Sequence, residues 1–117
     1  MHDDSLSYSI FQGPGYAVVS VTGEIDAGTE CKFRDALTSG LAHGALRIVV
    51  DLAGVSFMGS TGIGVLMGTR RVLAAEGGSL VLAAPHGDVA QVLSLTGVGE
   101  VIPVAASVMD AVASWNS

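Results

Sequence analysis

Cationic side chains are scarce in this sequence: five Lys and Arg stand against eleven Asp and Glu, for a net charge of −6. A phosphate backbone needs a basic patch, so nucleic acid is excluded as a partner, and basic or mixed-charge surfaces are favoured instead. Cysteine is almost absent. Cys31 alone excludes an internal disulfide framework and fits a reducing cytoplasm. Long apolar runs are missing as well; none approaches the ~20 residues needed to cross a bilayer. The opening "MHDDSLSYS" carries neither the cationic start nor the apolar segment of a secretory signal. Charged residues make up only 14% of the chain and apolar ones 50%, which argues against disorder. With 117 residues the chain has the length of one domain with a real core. A soluble cytoplasmic protein is expected.

Along the chain, Tyr8 to Gln12 and Tyr16 to Thr22 are β-rich runs separated by "GPG", the punctuation of a hairpin. Residues 1–7 read as a flexible tail and 8–117 as the domain. From Thr29 to His43, the residues Phe33, Ala36, Leu37 and Leu41 recur at helical spacing, ending near Gly44. "LRIVVDL" (Leu46 to Leu52) is the continuous apolar run of a central strand. A second helix is predicted from near Ser60 to the Gly77–Gly78 pair, then a strand over Ser79 to Ala84. "DVAQVLSLTG", Asp88 to Gly97, opens on an Asp-x-x-Gln cap pattern and closes on glycine, as a third helix does. A short strand at Val101–Ile102 and a last helix opened by the S-x-x-D cap at Ser107 complete the order ββαβαβαβα. Helices returning between strands predict an α/β domain with a mixed sheet, antiparallel at its start and parallel after it.

Catalytic patterns are absent. Gly62, Gly64 and Gly68 form G-x-G-x-x-x-G, one residue too long for a dinucleotide fingerprint, and no lysine follows as in a P-loop. A nucleophile elbow needs glycine two residues before the serine, where this chain has Met58. Of His2, His43 and His86, only His86 follows a strand end from which it could approach Ser60, and an exposed loop position is its plainer reading. Asp51 stands without a second carboxylate and reads as a hydrogen-bonding or turn residue. One cysteine and three scattered histidines match no metal-ligand spacing. Neither metal nor cofactor is expected.

Ser60 remains, in "GSTG". At a helix start it reads as an N-cap, because a serine oxygen accepts a bond from an open helical N–H. The same place favours a phosphate, since open N–H groups and the positive end of the helix dipole face it. At about 100° per residue, Val65, Leu66, Val72 and Leu73 fall on one side of the second helix, suited to the core. Ile63, Met67 and Ala74 fall on another, near Arg70 and Arg71. Such a strip serves either as a docking surface or as a seat for a neighbouring helix.

"VTGEIDAGT", "FRDAL", "VVDLAGVSFMGSTGIGVL", "GGSLVLAAP" and "VLSLTGVGEVIPVAAS" follow one another in the order seen in STAS-domain anti-sigma factor antagonists. The chain resembles that family from about Tyr8 to Ala113. The resemblance implies a single small STAS domain with a four- or five-stranded mixed sheet and about four helices packed mainly on one face. It implies no catalysis. In that family the unmodified domain binds an anti-sigma factor that is itself a serine kinase, and so frees a sigma factor. Phosphorylation at the start of the second helix ends the complex, and a serine phosphatase restores it.

Carried over by position, the phosphorylated residue is Ser60, with Thr61 the lesser acceptor. The implied partner-binding residues are Glu24, Asp26, Gly59, Ser60, Thr61, Gly62, Ile63 and Met67. Gly62 and Gly64 match family glycines that admit another backbone, and the free chain is expected to be a monomer. Asp26 also reads as a turn and helix-cap residue. The family usually carries Asp immediately before the phosphorylated serine, where this chain has Gly59. The same fold also implies a second use, as an adaptor or regulatory subunit of a membrane transporter.

Overall fold

In a computed structural model, residues 6–42 and 44–115 are described. The hairpin punctuation works as expected: β1 (Leu6–Gly13) and β2 (Tyr16–Ile25) pair antiparallel, from Leu6 opposite Gly23 to Gly13 opposite Tyr16. Pro14 and Gly15 make the turn, and Gly15 at φ +82° takes the left-handed conformation that glycine adopts without steric cost. The strand opens at Leu6 rather than Tyr8. Leu6 is buried and Ser7 pairs with Thr22, so these two residues belong to the sheet and not to a tail. Residues 1–5 and His43 lie outside the described set.

After α1 (Glu30–Leu41) the chain forms β3 (Arg47–Met58), α2 (Ser60–Ala75), β4 (Ser79–Ala83), α3 (Gly87–Leu95), a single 3-10 turn at Val98–Glu100, β5 (Val104–Ala105) and α4 (Val108–Ser114). The five strands lie in the order β1-β2-β3-β4-β5, parallel after the first pair. This is the predicted ββαβαβαβα arrangement. Among the described residues no helix is long and apolar enough to cross a membrane.

Two apolar layers sandwich the sheet. On one face Phe33, Ala36 and Leu37 of α1, Val65, Leu66 and Leu73 of α2, and Val89 and Leu93 of α3 pack on Val19, Val21, Ile48, Val50, Leu80 and Leu82. On the other, α4 alone covers Val18, Val49, Val81 and Ala83 through Ala111, Val108, Val112 and Trp115. Strands buried on both faces need apolar residues at consecutive positions, which is why "LRIVVDL" is unbroken.

Four local expectations change. Strand β3 runs six residues past Leu52, to Met58. Beyond Leu52 its buried residues are Val55 and Met58, a spacing of three that follows from register shifts against β2 between Ser20 and Thr22 and between Gly23 and Glu24. Helix α3 starts at Gly87 with His86 at its N-cap, so Asp88 lies in the first turn instead of capping it. Strand β5 forms at Val104–Ala105 because the 3-10 turn buries Val98 and Ile102 in the core. Val72 is 55% exposed; it lines a shallow groove with Leu41, Ala45, Leu46 and Glu76 rather than entering the core. The S-x-x-D cap forms as read, with the Asp110 amide donating to Ser107 Oγ at 3.0 Å.

Candidate functional site

The site grows out of the parallel ends of β2 and β3. Glu24 lies opposite Phe57 and Ile25 opposite Met58. Ile25 and Met58 point into the core, which turns their neighbours Glu24 and Phe57 outward, both exposed. The Gly59 amide then donates to the Ile25 carbonyl at 2.8 Å, closing the pairing one residue before Ser60.

Helix α2 begins at this point. Gly59 is its N-cap, extended at φ −90° and ψ −179°, and its carbonyl accepts from the Gly62 amide at 3.0 Å. Ser60 is thus the first helical residue and not the cap. In that position a hydroxyl is not held over the open amides as a cap's is, whereas a longer phosphate ester can reach them. Ser60 is an exposed residue, and its hydroxyl makes no hydrogen bond among the described residues. The helix start has neither a side-chain cap nor an acidic residue in its first turn, so its positive pole is left uncompensated. Thr61 differs sharply from its neighbour: its hydroxyl oxygen is closed off from solvent and has no partner.

Gly62 is a packing requirement of the fold. A Cβ there would lie 2.7 Å from Ile25 Cγ2 and 2.9 Å from Met58 Cγ, so only glycine lets α2 sit this close to the strand ends. Gly64 has open space around it and leaves the exposed side of the helix flat. Ile63 and Met67 are half-buried against the main core, so one part of each side chain supports the fold and another reaches the surface. Arg70 and Arg71 are exposed one turn further on.

The β2–α1 loop is tied by Asp26 and Thr29. Asp26 Oδ1 accepts from the Gly28 amide at 2.9 Å and the Thr29 amide at 3.1 Å, an Asx turn. Thr29 Oγ1 accepts from the Asp26 amide at 3.0 Å and donates to the Glu24 carbonyl at 2.7 Å. Asp26 therefore serves the loop's own geometry, and the helix N-cap is Thr29. The Glu24 side chain is exposed and makes no hydrogen bond or ion pair among the described residues.

Elsewhere the candidates separate. His86 Nε2 bonds the Ala53 carbonyl at 2.8 Å, so the Ser60–His86 pair that a hydrolase would need is not formed. Asp51 accepts from the Ser20 hydroxyl at 3.2 Å and the Ala53 amide at 3.1 Å, an internal strand contact. Phe57, 44% exposed, was missed in the sequence. Its signal is the step Phe57–Met58 in a strand, where an inward Met58 sends Phe57 outward.

The STAS domain family model matches residues 9–111. The chain is 32% identical over 102 residues to the anti-sigma-B factor antagonist of Bacillus subtilis, covering 87% of this chain and 93% of that one. It is 33% identical over 86 residues to the anti-sigma-B factor antagonist of Listeria monocytogenes, covering 74% and 75%. The crystal structure of an anti-sigma factor antagonist from Mycobacterium paratuberculosis superimposes with a TM-score of 0.88 at 29% identity, covering 99% of this chain and 98% of that one. The family model spans most of the chain and the matches cover most of these relatives' own length, so the chain belongs to the STAS domain family.

Proposed function

We propose that this protein is an anti-sigma factor antagonist that works by exchanging partners. In its unmodified form it binds an anti-sigma factor with serine kinase activity and so releases a sigma factor to the transcription machinery. The observation that carries this reading is the exposed Ser60, without a hydrogen-bond partner among the described residues, at the uncapped start of α2 next to the strand ends that carry Glu24 and Phe57. The relatives named anti-sigma-B factor antagonists support it.

The chain supplies no catalytic groups of its own in this scheme. The kinase directs Ser60 Oγ onto the γ-phosphorus of ATP. The new O–P bond forms as the bond to the β-phosphate oxygen breaks, ADP departs, and the serine proton passes to a base on the kinase. The product carries about −1.5 to −2 charges at pH 7. A surface packed against Ser60 would then have to bury a dianion beside Glu24, and the complex separates. A serine phosphatase hydrolyses the ester and restores the first state. All of these partners meet in the cytoplasm. Thr61, with its oxygen closed off, is the poorer acceptor.

The test is capture from cells followed by intact-mass measurement. Unmodified chain should retain an anti-sigma factor kinase, gain one phosphate in its presence with ATP, and then release it. The Ser60→Ala variant should bind and gain none. Recovery of a permease or transport ATPase subunit instead, or a Ser60→Ala chain that still gains a phosphate, overturns the reading.

A further inference from the structure

Thr29 is the one polar residue that is buried among the described residues, at 3% exposure. It stands at the N-cap of α1, yet its side chain makes no cap bond to that helix. The hydroxyl turns the other way, donating to the Glu24 carbonyl at 2.7 Å and accepting from the Asp26 amide at 3.0 Å. A hydroxyl at an N-cap ordinarily satisfies its own helix; this one is spent on the end of β2.

That strand end is where the candidate site begins. Glu24 pairs with Phe57, and one residue on, the Ile25 carbonyl receives the Gly59 amide at 2.8 Å. Thr29 Oγ1 is therefore linked through two adjacent backbone positions to the turn that presents Ser60. The Asx turn of Asp26, which accepts from the Gly28 and Thr29 amides, fixes the same loop from its other side. With valine in place of threonine, the cavity stays filled, but the Glu24 carbonyl and Asp26 amide both lose a partner where water has limited access.

We propose that Thr29 is a positioning residue for the docking surface, holding Glu24 and the Gly59–Ser60 turn in fixed relation through its buried hydroxyl. This rests on the reading that the Ser60 face binds an anti-sigma factor. Pre-set geometry lowers the ordering cost of association, so the loop's rigidity is part of the affinity.

The first measurement needs no partner: amide hydrogen exchange by NMR on the isolated chain. In Thr29→Val the Asp26 and Gly59 amides should exchange about tenfold faster or more, while the Leu82 amide, bonded to the Pro103 carbonyl across the sheet, keeps its wild-type rate. Thr29→Ser, which retains the hydroxyl, should return both amides to near wild-type rates. An unchanged Gly59 amide, or equal acceleration of all three, overturns the proposal.

The second measurement is a double-mutant cycle on affinity for the captured anti-sigma factor kinase. Glu24→Gln should weaken binding less in the Thr29→Val background than alone, by about threefold or more. Independent, multiplicative losses overturn the positioning role. A wild-type chain that retains no anti-sigma factor removes the docking reading, whereas the exchange comparison still upholds or overturns the link from Thr29 to Gly59.

Discussion

Gly59 donates its amide to the Ile25 carbonyl at 2.8 Å and is at the same time the N-cap of α2. One residue thus ends the sheet and starts the helix. The consequence falls on Ser60, which enters the helix proper with nothing to cap. Glycine at an N-cap forgoes the side-chain acceptor that serine or aspartate would supply. Here that omission leaves both the helix pole and the serine hydroxyl available to a single incoming phosphoryl group.

Aspartate in place of Gly59 should therefore strengthen the fold. The extended backbone at Gly59 suits any residue. A Cβ there would meet Phe57 Cε2 at 3.5 Å and the Ile25 carbonyl at 3.7 Å, ordinary contacts. The carboxylate would reach open amides at the positive end of α2, for a gain of about 0.5–1 kcal/mol. Thermal unfolding of Gly59→Asp should show Tm raised by about 2–5 °C. A lower Tm would refute the uncapped-pole argument.

The glycines of α2 should part company under substitution. Gly62→Ala drives a methyl into Ile25 and Met58, both buried in the core, and should cost about 1–3 kcal/mol. Gly64→Ala and Gly68→Ala meet open space and should each stabilise the helix by about 0.5–1 kcal/mol. Denaturant midpoints separate the three. On the binding side, Gly64→Ala should weaken capture of the anti-sigma factor despite the firmer fold, because its methyl stands on the exposed flat of α2.

Much of this architecture was legible because period and punctuation agreed. Gly13–Pro14–Gly15 marks the hairpin, and Phe33, Ala36 and Leu37 mark the buried side of α1. The misreadings have local causes. The outer half of β3 does not alternate, since Leu52, Val55 and Met58 are buried at intervals of three across shifted pairing with β2. No period-2 rule finds such a strand. Ser60 reads as a cap by residue type, but the Ile25–Gly59 bond moves the cap one residue earlier. Val72 fits the helical stripe and misses the core because it lies at the rim beside Leu46. The sequence signalled a candidate site at Ser60; the pairing of Glu24 with Phe57 and the Gly59–Ile25 bond that bring the β2 end beside it join residues more than thirty positions apart, which pattern alone does not disclose.

Thr61→Val should leave the switch working and firm up its base. The threonine hydroxyl oxygen is enclosed without a partner, and removing an unsatisfied buried group of this kind returns about 1 kcal/mol. Valine keeps the branched shape. Unfolding should shift upward by that amount, and intact mass after kinase treatment should still show one phosphate. Loss of the phosphate in Thr61→Val would move the acceptor from Ser60 to Thr61.

Phe57→Ser should act on binding rather than stability. The ring is partly exposed next to Glu24 and Gly59, so the fold loses little when it is removed. Aromatic anchors at interface centres account for about 2 kcal/mol or more when truncated, equivalent to a drop in affinity of roughly 30-fold. Isothermal titration against the anti-sigma factor, with Tm as the control, measures both. Undiminished affinity would place the contact elsewhere on the chain.

Phosphorylation itself should break the complex without loosening the domain. The ester at Ser60 places its dianion at the open amides and positive pole of α2, which has no acidic residue in its first turn to oppose it. Negative charge in that position is worth about 0.3–1 kcal/mol at low ionic strength. The exposed Glu24 carboxylate repels it, but across a solvent-facing surface, where salt screens strongly. The phosphorylated chain should therefore melt no lower than the unmodified one, and about 1–4 °C higher at low salt. That gain should shrink in about 0.5 M NaCl, where screening acts within a few ångströms. Affinity for the anti-sigma factor should fall by about 100-fold or more under the same conditions, since burying the dianion at an interface has no comparable compensation. A phosphorylated chain that melts well below the unmodified one would mean that the modification acts by unfolding the helix start, not by charging a preformed surface.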